Sequence, residues 1–502
     1  MLDELFVALC RDSDRPAVLG TTRFGRPSIR ATRGDLRDLA DRYASALHHQ
    51  GLSAGDTLGI AVRPGPRALS LLLAAHRLGL RVAVLDPAAG PDVLAARLAL
   101  ARPALVIADA AAQAVAGWAR PLARRAHLAL PRLASLAPVR TVGRRLFGCA
   151  PALTPRTGPV PDRSDGDGDA VIIFTSGTTS CPRAVVHTRS SLAAGMTAIA
   201  DLVHPRADEP VLGGMFFVLV PALAAGAPVA LPARSSRVLA RQVTRLRPQA
   251  TYLTPPQWRA LLAESPQLAG AAYSGSAPVS ASLLTRLRRA GAAEAWGVYA
   301  LTELFPAAAV ESDEKSAFTG EGDLIGRLLP GVQGRIDHSG QLLLTGTGRS
   351  DRYLGEPPHE WVVTGDIARR EGDRLVLAGR CKDMILRAAE NIYPGLYEPA
   401  LHLPGVNLAV LVGVPAPDGD ERLVAVIEPE PAVDVGGIRD ALPGVLERWG
   451  AARPDAVLFA RVPTAGRSRK PDRAAAAALA AQRLRRAAFS TRSSKKGPSL
   501  HE

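Results

Sequence analysis

The chain has 502 residues, 47% hydrophobic and 22% charged, enough apolar material for a sizeable core, which excludes a wholly disordered protein. Its formal net charge of +14 permits anionic partners, but the arginines are scattered and no helix-turn-helix, zinc-finger or RNP-type signature accompanies them, so no specific nucleic-acid partner is expected. Cys10, Cys149, Cys181 and Cys381 lie far apart with no CxxC spacing, which argues against a disulfide framework and a zinc site.

The N-terminal run carries acidic residues where a signal peptide needs basic ones, and its apolar stretch is short, so a cytoplasmic protein is expected. From Arg33 the spacing Leu36, Leu39, Tyr43, Leu47 predicts an amphipathic helix ending near Gly51. Strands at Leu58–Val62, Arg81–Leu85 and Leu105–Ala108 alternate with helices at Ala68–Leu78 and Pro91–Leu100, which argues for a parallel sheet with both faces covered. Residues 112–168 are less regular, and Asp162–Asp169 reads as an exposed loop.

The strand Val171–Phe174 then empties into Thr175-Ser176-Gly177-Thr178-Thr179-Ser180 before apolar spacing resumes at Val185 and Val186. Such a run can wrap an anion with backbone N–H groups and hydroxyls together, although a Ser/Thr/Gly linker has the same composition. No Gly-Lys-Ser/Thr follows, so this is not a standard P-loop. Leu212–Ala233 is uncharged over a membrane-spanning length, but Pro221, Pro228, Pro232 and three glycines divide it into a buried helix and a buried parallel strand, Pro228–Leu231. No transmembrane segment is expected.

Helices are expected at Ser235–Arg247 and Pro256–Ala263, and strands at Ala250–Leu253 and Ala271–Tyr273, the last running into a second small-residue loop, Ser274–Pro278. From about Leu324 short strands and turns imply a small β-rich subdomain. A last α/β segment follows from Gly379 to Arg473, with a buried strand at Leu408–Val414. Residues 474–502 read as an Ala-rich helix degrading into a basic tail.

Beside Thr175–Val186 stand Tyr299-Ala-Leu-Thr302-Glu303, Thr364-Gly-Asp366, Gly379-Arg380-Cys-Lys382-Asp383 with Glu390-Asn-Ile-Tyr-Pro394, and Gly466-Arg-Ser-Arg-Lys470. Each is unspecific alone. In this order they resemble the adenylate-forming superfamily of acyl-CoA synthetases, peptide-synthetase adenylation domains and luciferase-like enzymes, over nearly the whole chain from about Arg33 to Arg473. The resemblance implies an α/β fold: a large N-terminal domain of α/β layers with a small β-rich subdomain (residues 1–378), and a small mobile α+β C-terminal domain (379–473) turning on a hinge near Lys382.

It also implies the chemistry. ATP with Mg²⁺ converts a carboxylic acid to its acyl-adenylate, releasing pyrophosphate, and CoA or a carrier-protein pantetheine then accepts the acyl group. Thr175, Ser176, Gly177, Thr178, Thr179 and Arg183 would take the pyrophosphate end, Thr302 a nucleotide phosphate and Glu303 the Mg²⁺. Tyr299 would lie against adenine beside Ser274, Gly275 and Ser276, Asp366 would accept the ribose hydroxyls with Arg380 in support, and Lys470 would bridge the substrate carboxylate and the α-phosphate. On residue type alone Glu303 reads equally as a helix-start carboxylate and Asp366 as a turn residue. For Lys470 there is an independent argument: the chain uses arginine almost everywhere, its only lysines being Lys315, Lys382, Lys470, Lys495 and Lys496, so a lysine inside a motif suggests that a compact ammonium is wanted.

The chain departs from the superfamily pattern in three places, the mildest being Ala300 in Tyr299-Ala-Leu-Thr302-Glu303 where the pattern has glycine. Ser180-Cys-Pro-Arg183-Ala184 replaces Gly-x-Pro-Lys-Gly, and Ala389 replaces a glycine beside the pantetheine channel. Thioester formation is therefore the less secure step. Two alternatives stand beside it: a β-lactone synthetase closing an adenylated β-hydroxy acid without CoA, which Glu303–Val310 and Gly322–Gly326 somewhat resemble, and a nucleotide- or acyl-binding protein without turnover. Phe216 and Phe217 fall where the superfamily lines its acyl pocket, which fits a medium or long aliphatic acid, although packing in the core explains them equally well.

Overall fold

The computed structural model describes residues 1–502 except 87–90, 111–112, 114–136, 162–165, 176–182, 388–389, 417–420, 432, 466–468 and 495–502. Among the described residues two large sheets carry the first three-quarters of the chain. The seven-stranded sheet runs in the order Arg352–Tyr353, Ala184–Thr188, Asp169–Phe174, Arg81–Val84, Thr57–Ala61, Leu105–Asp109, Val139–Val142. From Asp169–Phe174 outward to Val139–Val142 its pairings are parallel, as the strand–helix alternation predicts. The helix Arg33–His49 begins on a capping box, the Thr32 hydroxyl accepting from the Asp35 N–H and the Asp35 carboxylate from the Thr32 N–H.

The 13-stranded sheet changes character across its width. Strands Pro16–Thr21, Val229–Ala230, Val211–Leu212, Ala250–Leu253, Ala271–Gly275 and Glu294–Tyr299 are parallel neighbours. From Glu294–Tyr299 onward every pairing is antiparallel, through Ala308–Glu311, Asp323–Leu328, Arg374–Arg380, Val362–Glu371 and Gln341–Gly346. This is the small β-rich portion expected from residue 324, continuous here with the parallel half. The uncharged segment forms the helix Phe216–Ala224 and the buried strand Val229–Ala230, and among the described residues no helix is long and apolar enough to cross a membrane.

The C-terminal segment is mainly antiparallel: Val406–Pro415 pairs antiparallel with Glu421–Pro429, which takes Ala456–Phe459 in parallel. Its strands are apolar at successive positions because both faces are covered. Ala409 and Leu411 face one core with Leu442 and Leu446 of the helix Val435–Leu446, whereas Val410, Val412 and Val414 face another with Ala476 and Ala480 of the helix Arg473–Ser494. The Ala-rich helix is thus a packed layer, with small residues letting it lie close on the sheet.

Two sequence expectations shift. Ser274 and Gly275 belong to the strand Ala271–Gly275, so the loop starts at Ser276. Asp169 is the first residue of its strand and no loop residue: it accepts from Arg81 Nη1 at 2.8 Å and from Arg352 Nη1 and Nη2 at 3.0 and 2.8 Å. Burial pushes the Asp169 carboxyl up, but these two guanidiniums outweigh it and hold the group below the usual carboxylate range. That stabilisation is complete above the unfolded-state pKa and is lost as pH falls toward the depressed value. Asp169→Asn should therefore cost about 1–3 kcal/mol in urea unfolding near pH 7, and the gap to the parent should narrow by about pH 3; a gap of constant size would contradict this.

Candidate active site

The central small-residue run joins two antiparallel strands, Asp169–Phe174 and Ala184–Thr188, in a hairpin. The Thr175 N–H donates to the Arg183 carbonyl at 3.0 Å and closes its neck. Ser176, Gly177, Thr178 and Thr179 lie outside the described residues, as do Ser180 and Ala389. Ala184, 2% exposed, opens the strand Ala184–Thr188 and pairs with Phe174, an extended position that does not call on glycine's conformational freedom.

From this hairpin the side chains lead to Glu303. The Arg183 guanidinium stands 5.1 Å over the Tyr353 ring, and the Tyr353 hydroxyl donates to Glu303 Oε1 at 3.0 Å. Burial and the Glu303 charge push the Tyr353 phenol up to about 12, so it stays a donor. The Thr302–Glu303 turn is held through its backbone: the Glu303 carbonyl accepts from the Ser350 N–H at 2.7 Å, and the Thr302 carbonyl from His187 Nε2 at 2.8 Å. His187 is fully buried and burial lowers its pKa, so the neutral ring donates from Nε2 while Nδ1 lies 3.3 Å from the Ser191 hydroxyl. Sequence reasoning passed over His187, although its place in the motif strand, two residues after the buried Val185, signalled an inward-facing polar group.

A second cluster forms where the large sheet turns from parallel to antiparallel. Asp366, 3% exposed, accepts from the Tyr299 hydroxyl at 2.5 Å on Oδ2 and from Arg380 Nε at 2.8 Å on Oδ1. Sheet register sets this: Asp366 pairs with Arg380 across adjacent strands, and Tyr299 ends the last parallel strand. Burial and then the Asp366 charge push the Tyr299 phenol well up. Each carboxylate oxygen keeps a second lone pair for a further donor.

Beside it the Ser276 hydroxyl lies 3.0 Å from the Tyr252 hydroxyl, and Ser276 sits at φ +66°. A Cβ on Gly275 would stand 2.8 Å from the Val298 carbonyl oxygen, so only glycine fits. The Ser274 hydroxyl is buried without a hydrogen-bond partner among the described residues. Phe217 packs between Phe305 and Tyr252, ring centroids 5.4 and 6.3 Å away, linking the Glu303 turn to the Ser276 loop. Phe216 packs on the adjoining core without a ring contact of its own among the described residues.

Lys470 lies in the short strand Lys470–Pro471, antiparallel to Thr464–Ala465. Loss of surrounding water lowers its pKa, as do Arg380 and Lys382, against the pull of Asp366 and Glu303. These influences place its ammonium within electrostatic reach of both clusters. Lys382 sits in a 3₁₀ turn, Cys381–Asp383, directly after the strand that ends at Arg380. The next residue, Asp383, accepts from Arg473 Nε at 3.1 Å, which ties the turn to the start of the last helix. Lys315, by contrast, is a structural lysine, its ammonium 2.5 Å from Asp323 Oδ1.

The family model for AMP-binding enzymes matches residues 7–349. The chain belongs to that family. This AMP-binding enzyme is thus an adenylate-forming enzyme, acting on carboxylic acids through ATP. An indoleacetate–CoA ligase from Aromatoleum aromaticum is 27% identical to it over 87% of this chain and 91% of that protein. An olefin beta-lactone synthetase from Stenotrophomonas maltophilia is 26% identical over 76% of this chain and 79% of its own length. Among solved structures, an amide bond synthetase from Marinactinospora thermotolerans superposes with a TM-score of 0.77 at 23% identity, covering 95% of this chain and 99% of that one, which shows the shared fold.

Tyr299→Phe would leave a buried carboxylate oxygen short of a donor. The variant should lose about 1–3 kcal/mol of unfolding free energy in a denaturant titration; unchanged stability would mean that water replaces the phenol.

Proposed function

We propose that this AMP-binding enzyme condenses an apolar carboxylic acid with ATP to an acyl-adenylate, releases pyrophosphate and passes the acyl group to CoA. The observation that carries the reading is the buried Asp366 carboxylate held between the Tyr299 hydroxyl and Arg380, with Lys470, from a separate part of the chain, feeling the charges of Arg380, Asp366 and Glu303. A carboxylate attacking the α-phosphorus meets a like charge, and charge builds on the phosphate oxygens as the bond to pyrophosphate breaks. Lys470 is the cation able to lie against both the incoming carboxylate and the α-phosphate. Asp366 accepts the ribose hydroxyls through its remaining lone pairs, held by Tyr299 and Arg380, while the Gly275–Ser276 turn beside Tyr299 takes the adenine.

Thr175 and Arg183 anchor the pyrophosphate loop, and Thr302 presents a hydroxyl to the nucleotide phosphate. Among the described residues no cluster of three or more His, Cys, Asp or Glu side chains forms a metal cage. The single carboxylate Glu303, with Oε2 not engaged by a described donor, fits a Mg²⁺ held mainly by phosphates, which would neutralise their charge. Lys382 is the hinge on which the C-terminal portion turns once the adenylate has formed.

Phe217 between Phe305 and Tyr252 gives the acyl side an aromatic wall, which supports an aliphatic or aromatic acid over a charged one. The CoA-ligase relative supports the second step. The beta-lactone synthetase relative supports a second reading, in which a β-hydroxy acyl-adenylate closes on its own hydroxyl and expels AMP.

The test is incubation with ATP, Mg²⁺ and a panel of aliphatic, aromatic and β-hydroxy acids, with and without CoA, weighing the products by mass spectrometry. Acyl-CoA supports the first reading, a lactone formed without CoA the second, and ATP binding without pyrophosphate exchange on any acid refutes both. Lys470→Ala should lower pyrophosphate exchange by about 10²–10³ while ATP still binds. Because the Lys470 pKa is lowered, its ammonium is lost earlier as pH rises, so the alkaline limb of exchange should fall below the usual lysine value. A limb at or above that value would contradict the assignment.

A further inference from the structure

Lys470 acts from the C-terminal portion on a nucleotide held by the large one, so its placement depends on the contact between them. That contact is charged on both sides. Arg286, on the helix Ala281–Arg289, pairs with Glu430, which follows the strand Glu421–Pro429, and both side chains are largely buried at 29% and 24% exposure. Arg259, on the neighbouring helix Pro255–Leu262, feels the same charges: burial and then Arg286 lower its pKa to about 10, while Glu428 and Glu430 hold it up.

The same strand connects to Lys470 through the segment that precedes it. Glu428, two residues before Glu430, accepts from the Val462 N–H at 2.8 Å on Oε2 and from Asn407 Nδ2 at 2.6 Å on Oε1. Val462 is buried, and two residues later Thr464–Ala465 pairs with Lys470–Pro471. A displacement of Glu430 is thus carried to Lys470 through one strand end, one side-chain hydrogen bond and one two-residue ladder.

Backbone contacts nearer the hinge complete the seam. The Gly322 N–H donates to the Leu396 carbonyl at 3.0 Å. A Cβ on Gly395 would stand 2.6 Å from the Ala378 carbonyl oxygen. At this close fit a charge pair at the far end of the seam has leverage on the angle between the two portions.

We propose that Arg286 and Glu430 form a positioning pair that sets Lys470 over the nucleotide site for the adenylating step. Neither touches substrate. The inference rests on the role given to Lys470 above and adds the groups that hold it in place. Asp366, Tyr299 and Glu303 belong to the large portion, so the pair governs the rate of adenylation and leaves ATP affinity alone.

The experiment uses the full chain with Arg286→Glu, Glu430→Arg, their combination, and the milder Arg286→Gln. Each single charge reversal should lower kcat for pyrophosphate exchange about tenfold, with KM for ATP unchanged within about twofold. Arg286→Gln should fall in between, and the combined reversal should return kcat to within about threefold of the parent. Hydrogen exchange gives a readout independent of turnover: the Gly322 amide should exchange faster in the single reversals and regain protection in the combined one. Single reversals that leave kcat and Gly322 protection unchanged, or a combined reversal that rescues neither, overturn the proposal. Should the parent show no exchange with any acid, the functional reading fails by itself, and unchanged Gly322 protection in the single reversals would then overturn the pair separately.

Discussion

The requirement on which the site depends is that the buried Asp366 carboxylate be neutralised and hydrogen-bonded where it lies. A charge removed from water to this degree persists only with good partners. Its two partners come from different regions: Tyr299 ends the parallel half of the large sheet, and Arg380 ends the strand leading into the Lys382 turn. Satisfying one side chain therefore fastens three things together, namely the switch from parallel to antiparallel pairing, the antiparallel strands, and the entry to the C-terminal portion. Open α/β sheets bind ligands at the carboxyl ends of their strands where the topology changes. Here the position is fixed by an acid that needs a phenol and a guanidinium from either side.

The charge balance of the cleft follows from its task. Arg380 pairs with Asp366, Arg183 stands over the Tyr353 ring whose hydroxyl holds Glu303, and Lys470 feels Arg380 and Lys382 as well as both carboxylates, an excess of positive charge suited to a polyanion. The lowered Lys470 pKa follows first from loss of surrounding water and then from the neighbouring charges of Arg380 and Lys382. The neutral donors nearby behave differently. His187 and the Tyr353 phenol are buried in their uncharged forms, and they orient the Thr302–Glu303 turn without adding to the field.

Much of the fold was legible because one periodicity dominated each segment. The helix from Arg33, the buried strands at Leu58, Arg81 and Leu105, and the helix–strand division of residues 212–233 each satisfied a single pattern. The points that failed were set by tertiary partners. Asp169 looks like loop composition until Arg81 and Arg352 reach it from other strands, and Ser274 and Gly275 look like a turn until Glu294–Tyr299 pairs alongside. In the site, the order of motifs pointed to Asp366, Arg380 and Lys470, but not to His187 or Tyr353, whose importance lies in what they hold. No local spacing could reveal the Arg286–Glu430 pair, 144 positions apart in the chain.

The sheet at the C-terminal end, apolar on both faces and covered on each by its own helix, keeps its hydrophobic demands within itself. Among the described residues its seam with the rest of the chain includes the Arg286–Glu430 ion pair, the Gly322–Leu396 backbone hydrogen bond and the close approach of Gly395 to Ala378. Its interior and its outer seam are built from different side chains. A substitution at the seam can therefore alter how this part docks without disturbing the two cores that keep it folded.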